Sequence, residues 1–217
     1  MKKYLTEFIA TFLLVFCGCG AAVINQQTNG AVGGGLGISI TFGLIVTVLV
    51  YTFGEISGCF INPAIVIGFS VAGLFDKKEL LPYIICEIIG ATAAIIVLKL
   101  LFPANLTLGA TLPSGSELQS FIFEIILTFL LMVVVIFTAK SSNKITQQLV
   151  GVCAGATVML EAIFAGPISG ASMNPARSLG PAIVSGNFTS IWIYLTAPVI
   201  GACLAAWFWK FLKPVAN

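Results

Sequence analysis

The sequence predicts an all-α membrane protein with six transmembrane helices and two re-entrant half-helices arranged as an inverted repeat. Three observations predict it. Hydrophobic residues make up 59% of the 217 residues and charged residues 8%, where soluble domains carry about 25% charged; mean hydropathy is +1.09. Six apolar runs have the length a bilayer core requires, roughly 20 residues each. The two halves of the chain also resemble each other around two Asn-Pro-Ala triplets, Asn62-Pro63-Ala64 and Asn174-Pro175-Ala176. This composition excludes a soluble enzyme, a disordered chain and a nucleic-acid binder. The net charge of +2 is too small to capture polyanions. Histidine, the commonest general base and metal ligand, is absent, and Arg177 is the one arginine.

The first span, residues 4–24, lacks the small-residue cleavage site of a signal peptide and five further spans follow it. Residues 25–35 are polar and Gly-rich and read as an external loop. The second span is 36–53. Residues 63–73 form an apolar stretch too short to cross, opening on Asn-Pro, where proline suits the first helical turn because no backbone donor is needed there. The remaining spans are 80–102, 118–139, 148–165 and 191–212, with a second short apolar stretch at 175–184 that also opens on Asn-Pro. Lys2, Lys3, Lys77, Lys78, Lys140, Lys144, Lys210 and Lys213 fall on one side and Lys99 on the other. By the positive-inside rule both termini are cytoplasmic. All six cysteines lie in or beside apolar spans and read as small buried residues rather than a disulfide framework. Asn105-Leu-Thr107 and Asn187-Phe-Thr189 are glycosylation triplets on the outer side.

The internal repeat carries the functional argument. Residues 56–64 match 168–176 at six of nine positions; Glu7-x-x-x-Thr-Phe-Leu-Leu14 matches Glu124-x-x-x-Thr-Phe-Leu-Leu131; Tyr83, Gly90 and Ala91 match Tyr194, Gly201 and Ala202. Three spans per half invert the second copy relative to the first, giving one domain over 1–217 built of repeats at approximately 1–105 and 115–217. Inverted repeats with interrupted apolar segments in matching positions point to a membrane pathway with its site near the midplane. Irregular backbone at that depth survives only where protein covers it or where it lines a watery cavity. Segments 58–61 and 170–173 are such backbone, with carbonyls forming acceptor ladders; Gly58, Cys59, Phe60, Gly170 and Ser172 are therefore candidate pore-lining residues. Asn62 and Asn174 start the half-helices, whose N-termini each carry roughly +0.5 charge. The two positive ends meet centrally, a field that accepts a neutral hydrogen-bonding solute and repels cations and protons.

With these residues the chain resembles the major intrinsic proteins, the aquaporin and glycerol-facilitator family, over its whole length. The carrying residues are Ser57-Gly58 and Ser169-Gly170 before the two triplets, Arg177-Ser178 after the second, Glu7 and Glu124. The run from Ala165 to Ala182 and Leu49-Val-Tyr-Thr52 are most similar to the nodulin-like branch. The resemblance implies a homotetramer in the cell membrane with one pore per subunit, no cofactor and no metal. Counted from the asparagines, it implies a selectivity filter of Phe42, Ala162, Ala171 and Arg177. Water-selective members usually carry His where Ala162 stands, so the opening is expected to be wider and less polar. Phe42 then offers a wall to carbon and Arg177 offers donors to hydroxyl or carbonyl oxygens. Water, glycerol, urea and undissociated metalloid acids are the expected solutes. The resemblance also assigns Glu7 and Glu124 to holding the re-entrant loops, and Ser178 is the aquaporin form where glycerol facilitators usually carry Asp.

Phe60 stands where many members have His, and its ring either narrows the path or gates it. Cys59 is the repeat-mate of Ala171 and is expected to face the pore. Glu55, Glu87 and Glu161 are less usual, and intramembrane carboxylates are functional candidates; each reads equally as buried neutral, paired with a polar neighbour, or a pH sensor. The leading expectation is a passive channel for water and small uncharged solutes. The alternatives are a proton-coupled small-solute transporter using the glutamates and a scaffold with a vestigial pore. Without histidine, and with no nucleophile–base pair, an enzyme is not expected.

Overall fold

A computed structural model of the protein describes residues 1–212; Lys213, counted above with the lysine-rich side, lies outside them. The long helices are α1 (Lys2–Gln27), α2 (Gly34–Ser57), α4 (Lys77–Leu101), α5 (Glu117–Ala139), α7 (Val150–Ser169) and α9 (Ile191–Leu212). Among the described residues these six are long and apolar enough to cross a membrane. Two half-length helices, α3 (Pro63–Ala72) and α8 (Pro175–Ser185), follow the irregular segments, and a one-turn helix, α6 (Lys144–Gln148), sits between α5 and α7.

The half-helices start where they do because their asparagines cap them. Asn62 Oδ1 accepts from Ala64 N, and Asn174 Oδ1 accepts from Ala176 N and Arg177 N, while the prolines occupy the first helical position. Each preceding long helix stops at a glycine in the left-handed region, Gly58 (φ 92°) and Gly170 (φ 84°), the conformation that a residue without Cβ adopts at least cost.

Close crossings through glycines draw the helices together. A Cβ at Gly90 of α4 would lie 2.4 Å from Phe8 O of α1, and one at Gly201 of α9 would lie 2.3 Å from Ile125 O of α5. These are repeat-related pairs. α2 and α7 cross at Gly43 and Gly155, whose added Cβ atoms would meet each other's carbonyls at 2.6 and 2.3 Å. Small residues at such contacts let backbones approach where lipid supplies no hydrophobic drive between helices. The half-helices exchange partners, α3 packing on α9 and α8 on α4, so each repeat is locked into the other.

The helix ends sort onto two faces. On the face carrying Lys2, Lys3 and the end of α9, Glu79 accepts from Tyr4 Oη (2.6 Å) and pairs with Lys3 (2.8 Å). On the opposite face Gln26 Oε1 accepts from Asn105 Nδ2 (3.0 Å) and Thr107 Oγ1 (2.9 Å). Asn105, read above as a glycosylation acceptor, is buried in that loop network and its Oδ1 also accepts from Leu108 N. Asn187 is exposed.

Candidate functional site

The two segments before the half-helices are held by matching sets of contacts. Ser57 Oγ accepts from Cys59 N and Ser169 Oγ from Ala171 N, both at 3.1 Å. Tyr83 Oη donates to Ser57 O (3.0 Å) and Tyr194 Oη to Ser169 O (2.7 Å). Glu7 accepts from Phe60 N (3.1 Å) and Ile61 N (2.8 Å). Glu124 accepts from Ser172 N, Met173 N and Ser169 Oγ, each at 2.8 Å. Both glutamates are fully buried, and these contacts satisfy buried donors that would otherwise be costly. The repeats also differ at the asparagine amides. Asn62 N donates to Glu87 Oε1 (3.1 Å), whereas Asn174 N donates to Ser172 Oγ (3.4 Å). Glu87 thus joins Glu7 as a loop support. Glu161 is fully buried with neither carboxyl oxygen partnered, and Glu55 is exposed at the end of α2.

Held this way, the backbone takes an unusual path. Cys59 (φ 48°), Ile61 (φ 48°), Ala171 (φ 40°) and Met173 (φ 53°) occupy the left-handed region at repeat-related positions. Side-chain-bearing residues enter it only when surroundings over-determine them. Within the described residues no backbone or side-chain donor reaches the carbonyls of residues 58–60 or 170–172. The asparagines close the centre reciprocally: Asn62 Nδ2 donates to Met173 O (2.7 Å) and Asn174 Nδ2 to Ile61 O (2.8 Å). An amide nitrogen carries two hydrogens, so each asparagine keeps one donor beyond that bond.

A cavity of about 520 Å³ runs along this wall. Its mouth lies between Tyr51, Glu55, Lys140, Gln147 and Gln148, on the face that carries the start of α1. It passes Phe60, Cys59 and Gly58, reaches Asn62 and Asn174, and ends at Phe42, Ala162, Ala171, Ser172 and Arg177. The other wall is apolar, with Val46, Val50, Ile65, Leu131, Val135 and Val158. The lining thus combines apolar side chains with the two irregular segments and their asparagine amides. Gly170 is not part of the lining; its Cα faces Thr111, 3.0 Å from an added Cβ. Pro63, Ala64, Pro175 and Ala176 are buried behind the wall as the first turns of the half-helices. Phe60 lies at the cavity edge in a cluster of edge-to-face rings, with centroids 5.2 Å from Phe69, 5.2 Å from Phe75 and 6.0 Å from Tyr83, which fixes its ring against the wall.

At the Arg177 end of the cavity, Arg177 Nη1 donates to Gly109 O (2.6 Å), and its Cζ stands 5.0 Å from the Phe42 ring centroid, a cation–π contact. Ser178 Oγ is hydrogen-bonded to Thr111 Oγ1 (2.6 Å) and to Ser172 Oγ (2.5 Å), tying α8 to both loops. Gly109 and Thr111 belong to the segment between α4 and α5, and no pattern in the sequence marks them.

A model of the major intrinsic protein family matches residues 1–209. Aquaporin NIP1-1 of Zea mays is 44% identical over 98% of this chain and 75% of its own length. Nodulin-26 of Glycine max is 41% identical, covering 98% of this chain and 78% of its own. Among solved structures, the aquaglyceroporin from Plasmodium falciparum superposes with a TM-score of 0.86 at 25% identity, covering 97% of this chain and 96% of that one.

Proposed function

The chain belongs to the major intrinsic protein family, whose members are channels and not enzymes, and on that premise we propose that it is a passive pore for water together with small uncharged solutes of the glycerol and urea class, closed to cations and protons. The observation that carries the reading is the mixed lining of the cavity: apolar side chains together with the two irregular segments, whose carbonyls have no donor among the described residues, and the Asn62 and Asn174 amides. A polyol or urea can lay its hydrogen-bonding groups on the ladder and its remaining surface on the apolar wall. Phe42, Ala162, Ala171 and Arg177 serve as the selectivity filter. Ala162 supplies no ring and no donor, which leaves room for a solute larger than water. Arg177, with the half-helix N-termini, opposes cations.

Several further assignments accompany this reading. Residues 1–105 and 115–217 act as inverted repeats of one channel domain. Exposed apolar side chains along α1, α2, α4 and α5, such as Ile9, Leu44, Ile89 and Ile126, supply surfaces for the lipid bilayer and for a homotetramer. The lysine-bearing face is cytoplasmic in the cell membrane. Metalloid acids share the size and neutrality of the proposed solutes. Proton coupling finds little support. Of the glutamates raised as candidates, Glu7, Glu87 and Glu124 hold loop amides, Glu161 is sealed in the protein, and Glu55 lines the mouth.

The test is stopped-flow light scattering on proteoliposomes. A sorbitol gradient is expected to give fast shrinkage with a low activation energy. Glycerol and urea gradients are expected to give shrinkage followed by fast re-swelling. Fast water flux without re-swelling in any neutral solute refutes the wide filter, and flux that saturates and follows a pH gradient refutes the passive pore.

A further inference from the structure

We infer that Gly18 of α1, outside the cavity lining, sets the aperture of the filter by letting the Phe42 ring withdraw into the helix surface; this rests on the filter assigned above. A Cβ placed on Gly18 would lie 2.1 Å from Cε1, 2.4 Å from Cζ and 2.5 Å from Cδ1 of Phe42. The edge of the ring therefore occupies the space that any other residue at position 18 would fill. Gly18 is buried in the middle of α1 with ordinary helical backbone, so its lack of a side chain serves no turn. In a helix interior glycine costs about 0.5–1 kcal/mol relative to alanine, and the return visible here is room for the ring.

Arg177 backs one face of the ring. Arg177 Cζ stands 5.0 Å from its centroid, and the guanidinium is pinned by Nη1 to Gly109 O at 2.6 Å. Gly109 in turn is held by the residue after Gly18. Cys19 Sγ reaches Gly109 O at 3.8 Å, and a Cβ on Gly109 would lie 2.8 Å from Cys19 Cβ. Consecutive residues of α1 thus back both sides of the filter, Gly18 behind Phe42 and Cys19 behind the carbonyl that anchors Arg177. Restoring ordinary contact, which begins at 3.4 Å, requires the ring to move by at least about 1.3 Å from the 2.1 Å position, and the direction left open is toward the cavity that Phe42 lines. A shift of that size on one wall matters more to a polyol than to water. Gly18 is a positioning residue that acts through Phe42.

The experiment compares wild type, Gly18→Ala, Phe42→Ala and the double variant in proteoliposomes. It reads glycerol, urea and water permeability per folded protein. Gly18→Ala is expected to lower the solute-to-water ratio by at least about tenfold, equivalent to ~1.4 kcal/mol on the permeation barrier, within the usual cost of overpacking. Adding Phe42→Ala is expected to return the ratio to that of Phe42→Ala alone, a rescue that a general folding defect would not give. An unchanged ratio in Gly18→Ala, or a double variant no better than Gly18→Ala, overturns the inference. Absence of solute flux in wild type defeats the solute reading instead. Gly18 is then judged on water alone: slowing by Gly18→Ala that Phe42→Ala reverses supports it, and no slowing overturns it.

Discussion

Replacing Glu124 is expected to detach the second re-entrant segment by steps that can be counted. Its Oε1 accepts from Ser169 Oγ and Ser172 N and its Oε2 from Met173 N, all at 2.8 Å, in a site without solvent exposure. In Glu124→Gln one oxygen becomes an NH2 group, so whichever way the amide turns at least one backbone N–H faces another donor. A buried donor without a partner costs about 1–3 kcal/mol, and that is the expected loss of unfolding free energy. Glu124→Leu leaves both backbone donors and the serine hydroxyl without an acceptor, for about 2–6 kcal/mol from the two N–H groups. Because Ala171 and Ser172 line the cavity, water permeability per folded protein is expected to fall in the same order. The assay is denaturant unfolding of purified protein in mixed micelles, paired with stopped-flow shrinkage of proteoliposomes. A Leu variant as stable as wild type, or no less stable than the Gln variant, would refute the claim that these contacts hold the loop. Glu7→Gln serves as the internal comparison, since Glu7 holds Phe60 N and Ile61 N in the first repeat.

Other outcomes follow from the same geometry. Ala162→His places a ring and donors at the filter and is expected to suppress glycerol and urea flux more than water flux in the same vesicles; equal suppression would show that position 162 does not select. Cys59 lines the cavity while nearly buried, so a mercurial is expected to slow water flux and Cys59→Ser to abolish that sensitivity, whereas retained inhibition would move the reactive thiol elsewhere. Gly201→Ala drives a methyl to within 2.3 Å of Ile125 O and Gly90→Ala to within 2.4 Å of Phe8 O. Each is expected to lower unfolding free energy by about 1–3 kcal/mol, and stability equal to wild type in both would show that these crossings relax freely.

The spans were legible because six apolar runs of bilayer length cannot all be buried inside a chain this short, and the half-helices because Asn-Pro supplies both a cap and a first-turn proline. Helix ends were less legible. The sequence ends the first span at residue 24, yet α1 runs to Gln27, since Asn25 and Gln26 are polar but helical, tied to Gly34 N and to Asn105 and Thr107. It ends the fifth span at 165, yet α7 continues through Pro167 to Ser169; a proline near a helix end removes one donor without stopping the chain. Repeat matching paired the asparagines and paired Glu7 with Glu124, and the family resemblance supplied the loop-holding role of the two glutamates. The matching could not place Gly109, whose contact with Arg177 spans 68 residues, because one glycine in a loop has no partner pattern to match. Glu87 and Glu161 look alike on paper. Only packing separates a carboxyl that meets Asn62 N from one that meets no donor.

The exchange of half-helices between repeats has a consequence for biosynthesis. The first half-helix, α3, packs chiefly on α9, which is made more than a hundred residues later, and Asn62 bonds to a carbonyl 111 residues downstream. During synthesis the first irregular segment therefore finds Glu7, Glu87 and Tyr83 within its own repeat, while the α9 surface for α3 and the Met173 carbonyl for Asn62 come later. The first repeat thus reaches its final packing only after the second has been made, although the cavity lining itself ends at Arg177.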